Sequence, residues 1–185
     1  MFATVAASAA ERRARRPGDD LVDPADVVMD RAVTFDTAPE AVWPWLVQLG
    51  KHRAGWYLPR RVERFLPAGR RATRQIQPRW QHLQAGDIIP DYGGRHEIFR
   101  VDRIHAPDSI VYTSRRGRTD LSWSITLEPE SVTPARTRVH FRLRMAPVKH
   151  RWLATTAGEF FDALTIAGAA AGLTERLHDA RPPTA

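Results

Sequence analysis

A curved antiparallel sheet closed by one long C-terminal helix, an α+β fold, is what this sequence predicts. Three observations carry the expectation. The stretch Lys149 to Leu177 is the longest run without an internal proline. Its residues Leu153, Ala157, Phe160, Phe161, Leu164, Gly168 and Ala171 recur at three- and four-residue steps, which puts them on one face of a helix. At a rise of about 1.5 Å per residue that helix is roughly 40 Å long. Just before it, Leu121, Trp123, Ile125 and Leu127 alternate with Ser122, Ser124, Thr126 and Glu128. Val139, Phe141, Leu143 and Met145 alternate in the same way with Arg138, His140, Arg142 and Arg144. Period two marks half-buried strands, one face apolar and the other solvated. A long helix after such strands has one place to bury its stripe, the concave face of the sheet. Small residues at the contact (Ala157, Gly168, Ala171) leave room there for a cavity.

The chain has 185 residues, enough for one domain with a sizeable core. Residues 1–29 read as a partly flexible leader, 30–179 as the domain and 180–185 as a flexible tail. Charge and breakers mark the leader: Glu11 to Arg16, then Pro17, Gly18 and Pro24. A first strand is expected from Asp30 to Asp36, with Val33 and Phe35 inward. Thr37-Ala38-Pro39-Glu40 has the form of a capping box opening a helix that runs to about Leu49, with Gly50 as its cap. No charge lies between Glu40 and Lys51, so this helix must be buried on most sides. Pro44 costs it a hydrogen bond and bends it. Leu58 to Phe65 reads as a second short helix. Gly86 to Pro90, His96 to Ile104 and Ser109 to Thr113 supply further strands, joined by short turns into an antiparallel meander.

Composition excludes several classes. With no cysteine there is no disulfide and no thiolate metal site. That agrees with a cytoplasmic location. Ala6 to Ala10 lacks the apolar length of a signal peptide. Phe160 to Leu173 is too short to span a bilayer and is interrupted by Asp162. The net charge of +7 is carried almost wholly by arginine, since Lys51 and Lys149 are the only lysines. Such a bias follows coding composition, so the basic balance is not read as a functional signal.

The run from Arg31 to Tyr57, RAVTFDTAPEAVWPWLVQLGKHRAGWY, carries a family resemblance. So do Ile76-Gln77-Pro78-Arg79-Trp80-Gln81 and the turn Gly86-Asp87. Together they resemble a bacterial branch of the START-like helix-grip superfamily (SRPBCC; polyketide cyclase/dehydrase and lipid transport). The resemblance covers about residues 15 to 178. It implies a curved sheet gripping the terminal helix, with two short helices after the first strand. It also implies an internal cavity for a small hydrophobic ligand such as a lipid or polyketide. It brings no catalytic signature, so no catalytic residue is carried over, and no cofactor is implied. The expected ligand-binding wall is Trp45, Trp56, Tyr57, Trp80, Tyr92, Phe99, Tyr112, Trp123, Phe141, Phe161, Leu164 and Gly168.

Two alternatives stay open. One is a cyclase or dehydratase on the same scaffold, for which Tyr92, Tyr112 and His96 are the acid–base candidates. The other is a surface module. Arg60, Arg61, Arg64, Arg70, Arg71, Arg74 and Arg79 face a single acid, Glu63, within residues 58–81, among aromatics. That pattern suits an anionic lipid headgroup near Arg60, Arg61 and Arg64, and less well a nucleic acid. The His96-Glu97 pair lacks metal-ligand spacing. Ser109, Ser122 and Ser124 lack a nucleophile-elbow context.

Overall fold

The computed structural model describes residues 5–130 and 136–180. The expected tail therefore lies outside the described residues except for Ala180. Six strands form one antiparallel sheet in the order β1-β6-β5-β4-β3-β2. They are β1 (Val27–Phe35), β2 (Ile88–Pro90), β3 (Ile98–His105), β4 (Ser109–Arg116), β5 (Thr119–Pro129) and β6 (Thr137–Ala146). The strands from β2 to β6 form the expected meander, and β1 returns along β6 from Val27↔Met145 to Phe35↔Thr137. Helices α2 (Pro39–Gln48) and α3 (Arg60–Glu63) follow β1. The terminal helix crosses the concave face. It begins with one turn, α4 (Arg151–Leu153), passes through a π-helical turn at Ala154–Gly158 and continues as α5 (Glu159–Asp179). This is the helix-grip architecture.

The core lies between sheet and helix. Val33 and Phe35, Ile110 and Tyr112, Ile125 and Leu127, and Val139 and Phe141 point into it from β1, β4, β5 and β6. Val42, Trp45, Leu46 and Val47 of α2 and Ile166, Ala170, Leu173 and Leu177 of α5 meet them. As its composition demands, α2 is buried, and Pro44 sits inside it. The capping box expected at Thr37 is absent. The N-cap is Ala38, with no side-chain hydrogen bond. Pro39 starts the helix one residue later than the Thr37 reading required.

The stripe expected on the terminal helix is rotated. Ile166, Ala169, Ala170, Leu173 and Leu177 are buried, whereas Leu153, Phe160, Phe161 and Leu164 are exposed. Gly168 and Gly172 do not leave space either. A Cβ on Gly172 would stand 2.5–2.7 Å from the Leu58 backbone, and one on Gly168 would stand 3.0 Å from a Leu58 methyl. The small residues let the chain after Tyr57 lie directly on the helix.

The outer face of the sheet is covered, not solvated. The segment before β1 folds over it, led by α1 (Ala9–Arg13), which carries a true capping box between Ser8 and Glu11. Arg142 of β6 donates to the Glu11, Arg12 and Ala14 carbonyls and to Asp19 and Asp30. Arg138 pairs with Glu11 at 2.7 Å, and Arg16 reaches Thr126 and Glu128 of β5. His140 is buried here with its Nε2 3.1 Å from Asp30 Oδ1, although not aligned for a hydrogen bond. Burial opposes ionisation of Asp30. The His140 and Arg142 neighbours outweigh it and hold the carboxyl below the ordinary range. The alternating arginines of β6 thus bind the leader, and burial of Val5, Ala7 and Val22 makes it part of the packed structure.

Candidate functional site: an aromatic cavity under the terminal helix

Where β3, β4, β5 and β6 curve towards the N-terminal half of α5, the core is incomplete. A cavity of about 420 Å³ opens there. Trp56, Tyr92, Phe99, Trp123, Leu143 and Phe161 supply most of its apolar wall. A small recess of about 40 Å³ shares Trp56, Tyr92, Phe99 and Trp123 and extends to Tyr112 and Lys51.

Trp123 organises the wall. Its ring stacks on Tyr112 at 5.4 Å and on Phe141 at 6.4 Å, and packs against Phe99 at 5.6 Å and Trp56 at 6.3 Å. The register causes this, because Trp123 lies opposite Tyr112 on β4 and Leu143 on β6. Trp56 is delivered by the R-A-G-W-Y turn. Gly55 there has φ +88 and stands 2.9 Å, measured from an added Cβ, from the Ala72 backbone, so only glycine makes the turn. The Trp56 indole N–H donates to the Thr165 carbonyl at 3.3 Å, which ties this wall to α5.

Three charged residues line the main cavity: Asp91, Arg116 and Asp162. Arg116 is spent at the rim. It pairs with Asp91, reaches Glu97 at 3.4 Å and lies over the Phe99 ring. Asp162 differs. It projects from the buried side of α5, four residues before Ile166. Its Oδ2 lies 3.0 Å from Arg31 Nε but is not aligned for a hydrogen bond. Arg31 donates instead to the Asp30 carbonyl and to the Glu159 carbonyl and carboxylate. Burial raises the Asp162 carboxyl to about 6, against the pull of Arg31. Among the described residues no group of three or more His, Asp or Glu is arranged to hold a metal ion.

Of the residues expected at the wall, the structure brings together Trp56, Tyr92, Phe99, Trp123 and Phe161, with Tyr112 in the recess. The others lie elsewhere. Trp45 and Tyr57 are core, edge to face at 5.8 Å, with the Tyr57 hydroxyl donating to the Trp45 carbonyl. Phe141 backs Trp123 from beneath. Trp80 lies under the Arg79 guanidinium, away from the cavity. Leu164 points outward and Gly168 meets Leu58. Of the acid–base candidates, the Tyr92 and Tyr112 phenols are pushed up by burial, and His96 is exposed outside the lining. Asp162, Arg31 and Arg116 were not expected at the site. The available signal was a single carboxylate inside the apolar run from Phe160 to Leu173.

Two arginines of the arginine-rich segment reach acids of α5. Arg60 pairs with Asp179, and Arg74 with Glu63, Glu175 and Asp179. Arg64 lies over Phe65. Buried Arg176 closes the arrangement, donating to Glu63 and to the Leu58, Ala72 and Thr73 carbonyls. Two of the segment's seven arginines, Arg60 and Arg74, thus hold it to the helix. No helix among the described residues is long and apolar enough to cross a membrane.

Solved structures share this architecture. A protein from Rhodobacter sphaeroides superposes with a TM-score of 0.52 at 15% identity, over 86% of this chain and 97% of that one. Protein MLL2253 from Mesorhizobium loti gives 0.50 at 14% identity, over 84% and 100%. DynU16, described as a protein in the dynemicin biosynthetic locus, gives 0.51 at 13% identity over 86% of this chain, which spans only 49% of DynU16. Such likenesses define the class, an α+β helix-grip domain. No family model matches the chain, and no curated protein does.

Proposed function

We propose that this protein binds a small, predominantly apolar molecule in the cavity between β3–β6 and α5. One observation carries the reading: a space of about 420 Å³ walled by Trp56, Tyr92, Phe99, Trp123 and Phe161. That volume falls within the range of small-molecule sites, about 300–1,000 Å³, and such sites are walled mainly by apolar and aromatic side chains. The walls come from packed strands and a tethered helix, so the site is largely preformed. Membership of the SRPBCC superfamily, suggested by the W-P-W and R-A-G-W-Y words, agrees with such a role. We place the protein in the cytoplasm, with the site open to solvent beside Tyr92 and Phe161.

A second reading has one observation in its favour. Asp162 faces the cavity with a carboxyl near 6, where a group exchanges protons readily at neutral pH. On a cyclase or dehydratase, Asp162 replaces Tyr92, Tyr112 and His96 as the acid–base group. An anionic headgroup at Arg60, Arg61 and Arg64 fits less well, because Arg60 is already paired with Asp179.

Native mass spectrometry of freshly purified protein tests the binding role. The expected spectrum contains a one-to-one adduct with a small molecule that is lost on denaturation. Bare protein that also takes up no apolar dye contradicts it.

A further inference from the structure

The charge around the cavity lacks the basic excess of the chain. The protein carries +7 overall. The cavity, its recess and their direct ion partners hold the acids Asp91, Glu97, Glu159 and Asp162 against Lys51, Arg31 and Arg116. Acids and cations are therefore close to balance around the cavity, whereas the protein as a whole is basic.

Of the charged groups lining the main cavity, Asp162 is the one whose pairing is poorest. At the rim, Arg116 is shared by Asp91 and Glu97, and Lys51 donates to the Asp91 carbonyl at 3.0 Å. These cations have partners and are poor receptors for an anionic ligand. At the inner end, Glu159 and Asp162 share one guanidinium, and the aligned donors of Arg31 go to Glu159 and backbone carbonyls. Asp162 Oδ2 is buried against Arg31 Nε without an aligned hydrogen bond, so the part of the carboxyl left to meet a ligand is the remainder of a side chain that is 20% exposed. A desolvated carboxylate in this setting gains most from a new cation, since charge-assisted hydrogen bonds strengthen where water is excluded. The remaining walls suit a cation too. The indole faces of Trp56 and Trp123 and the ring of Phe161 attract ammonium groups through their quadrupoles. Trp123, held by its stacked neighbours, gives the wall a fixed aromatic edge against which a ring can pack.

We propose that the cavity selects an apolar, ring-bearing organic amine, whose ammonium pairs with Asp162 while its ring packs against Trp123. This rests on the cavity reading and adds the ligand's chemical class. Asp162 is the specificity determinant, and Arg31 and Glu159 position it.

The test uses the full chain and matched probes: 2-naphthylmethylamine, 2-naphthylmethanol and 2-naphthoic acid, each displacing the neutral dye N-phenyl-1-naphthylamine. At pH 7.5 the amine is expected to bind about 10-fold or more tighter than the alcohol, the scale of one charge-assisted pair. The acid should bind more weakly than either. In wild type the amine preference should shrink as the pH falls below about 6, where Asp162 takes up a proton. In Asp162→Asn, amine and alcohol should bind alike while the dye still binds. Equal binding of amine and alcohol to wild type, or tighter binding of the acid, overturns the proposal and leaves the cavity reading intact. An amine preference retained in a folded, dye-binding Asp162→Asn overturns the role of Asp162. Failure of the dye to saturate wild type removes the cavity reading, and this proposal with it. The wild-type probe series and its pH dependence need no variant, so a misfolded Asp162→Asn does not shield the proposal.

Discussion

Asp162 shows what one side chain costs and what it offers. Its carboxyl titrates near 6 in the folded protein because burial outweighs the nearby Arg31. The folded pKa is raised above that of the unfolded chain, so the native state binds the extra proton between about pH 4 and 6. The group's contribution to stability is therefore favourable at low pH and is lost as the pH rises through 6. Asp162→Asn removes this penalty. We expect the variant to be roughly 1–3 kcal/mol more stable than wild type at pH 7.5 and nearly equal at pH 4. Urea unfolding at both pH values measures it. A variant less stable at pH 7.5 means that the Arg31 attraction exceeds the burial cost. The sequence made the aromatic residues legible because alternation on β5 fixes the direction of Trp123. It did not reveal Asp162, because a carboxylate in an apolar run has no visible partner until β1 brings Arg31 beneath the helix.

At the scale of elements, the terminal helix was legible in extent but not in rotation. Its run carries two apolar stripes, one through Phe160, Leu164 and Gly168 and one through Ile166, Ala170, Leu173 and Leu177. Periodicity finds a stripe but cannot choose between two. Gly172 settles the choice, because an added Cβ there would stand only 2.5–2.7 Å from the Leu58 backbone. Gly172→Ala is expected to lower stability by about 2–3 kcal/mol, since backbone cannot move aside as a side chain does. Thermal unfolding checks this, and a near-native melting temperature shows that the contact is loose. The packing of the N-terminal segment was not legible for a different reason. Its partners, Arg138, Arg142 and Arg144, look like an ordinary solvated strand face until the chain folds back upon them. Glu11 is the handle on this element. The hydrogen bond from Arg138 lowers its carboxyl to about 2. A depressed pKa gives stability that is present above about 4.5 and lost as the pH falls towards 2. Below pH 4 the segment should loosen, and Glu11→Gln should loosen it already at pH 7. Amide hydrogen exchange over residues 5–26 reads both, and unchanged protection in the variant argues that Arg16, Arg142 and Arg144 hold the segment without Glu11.

The whole molecule is a grip with both faces of its sheet occupied. The outer face holds the N-terminal segment through arginine. The inner face packs solidly against the C-terminal half of α5 and opens into the cavity beside the N-terminal half. The fold followed from sequence because alternating strands and a proline-free helix leave few arrangements. The cavity's place did not follow, because it depends on where packing stops. Leu143, which lines the space from β6, offers the most direct test that the cavity binds apolar molecules. Replacing it by tryptophan fills the cavity from a strand that is paired on both sides. The measurement is a fluorescence titration of wild type and Leu143→Trp with N-phenyl-1-naphthylamine, alongside their melting temperatures. The account predicts saturable one-to-one binding to wild type, and loss of binding in Leu143→Trp without loss of melting temperature. Wild type that never saturates, or a variant that binds as wild type does, contradicts it.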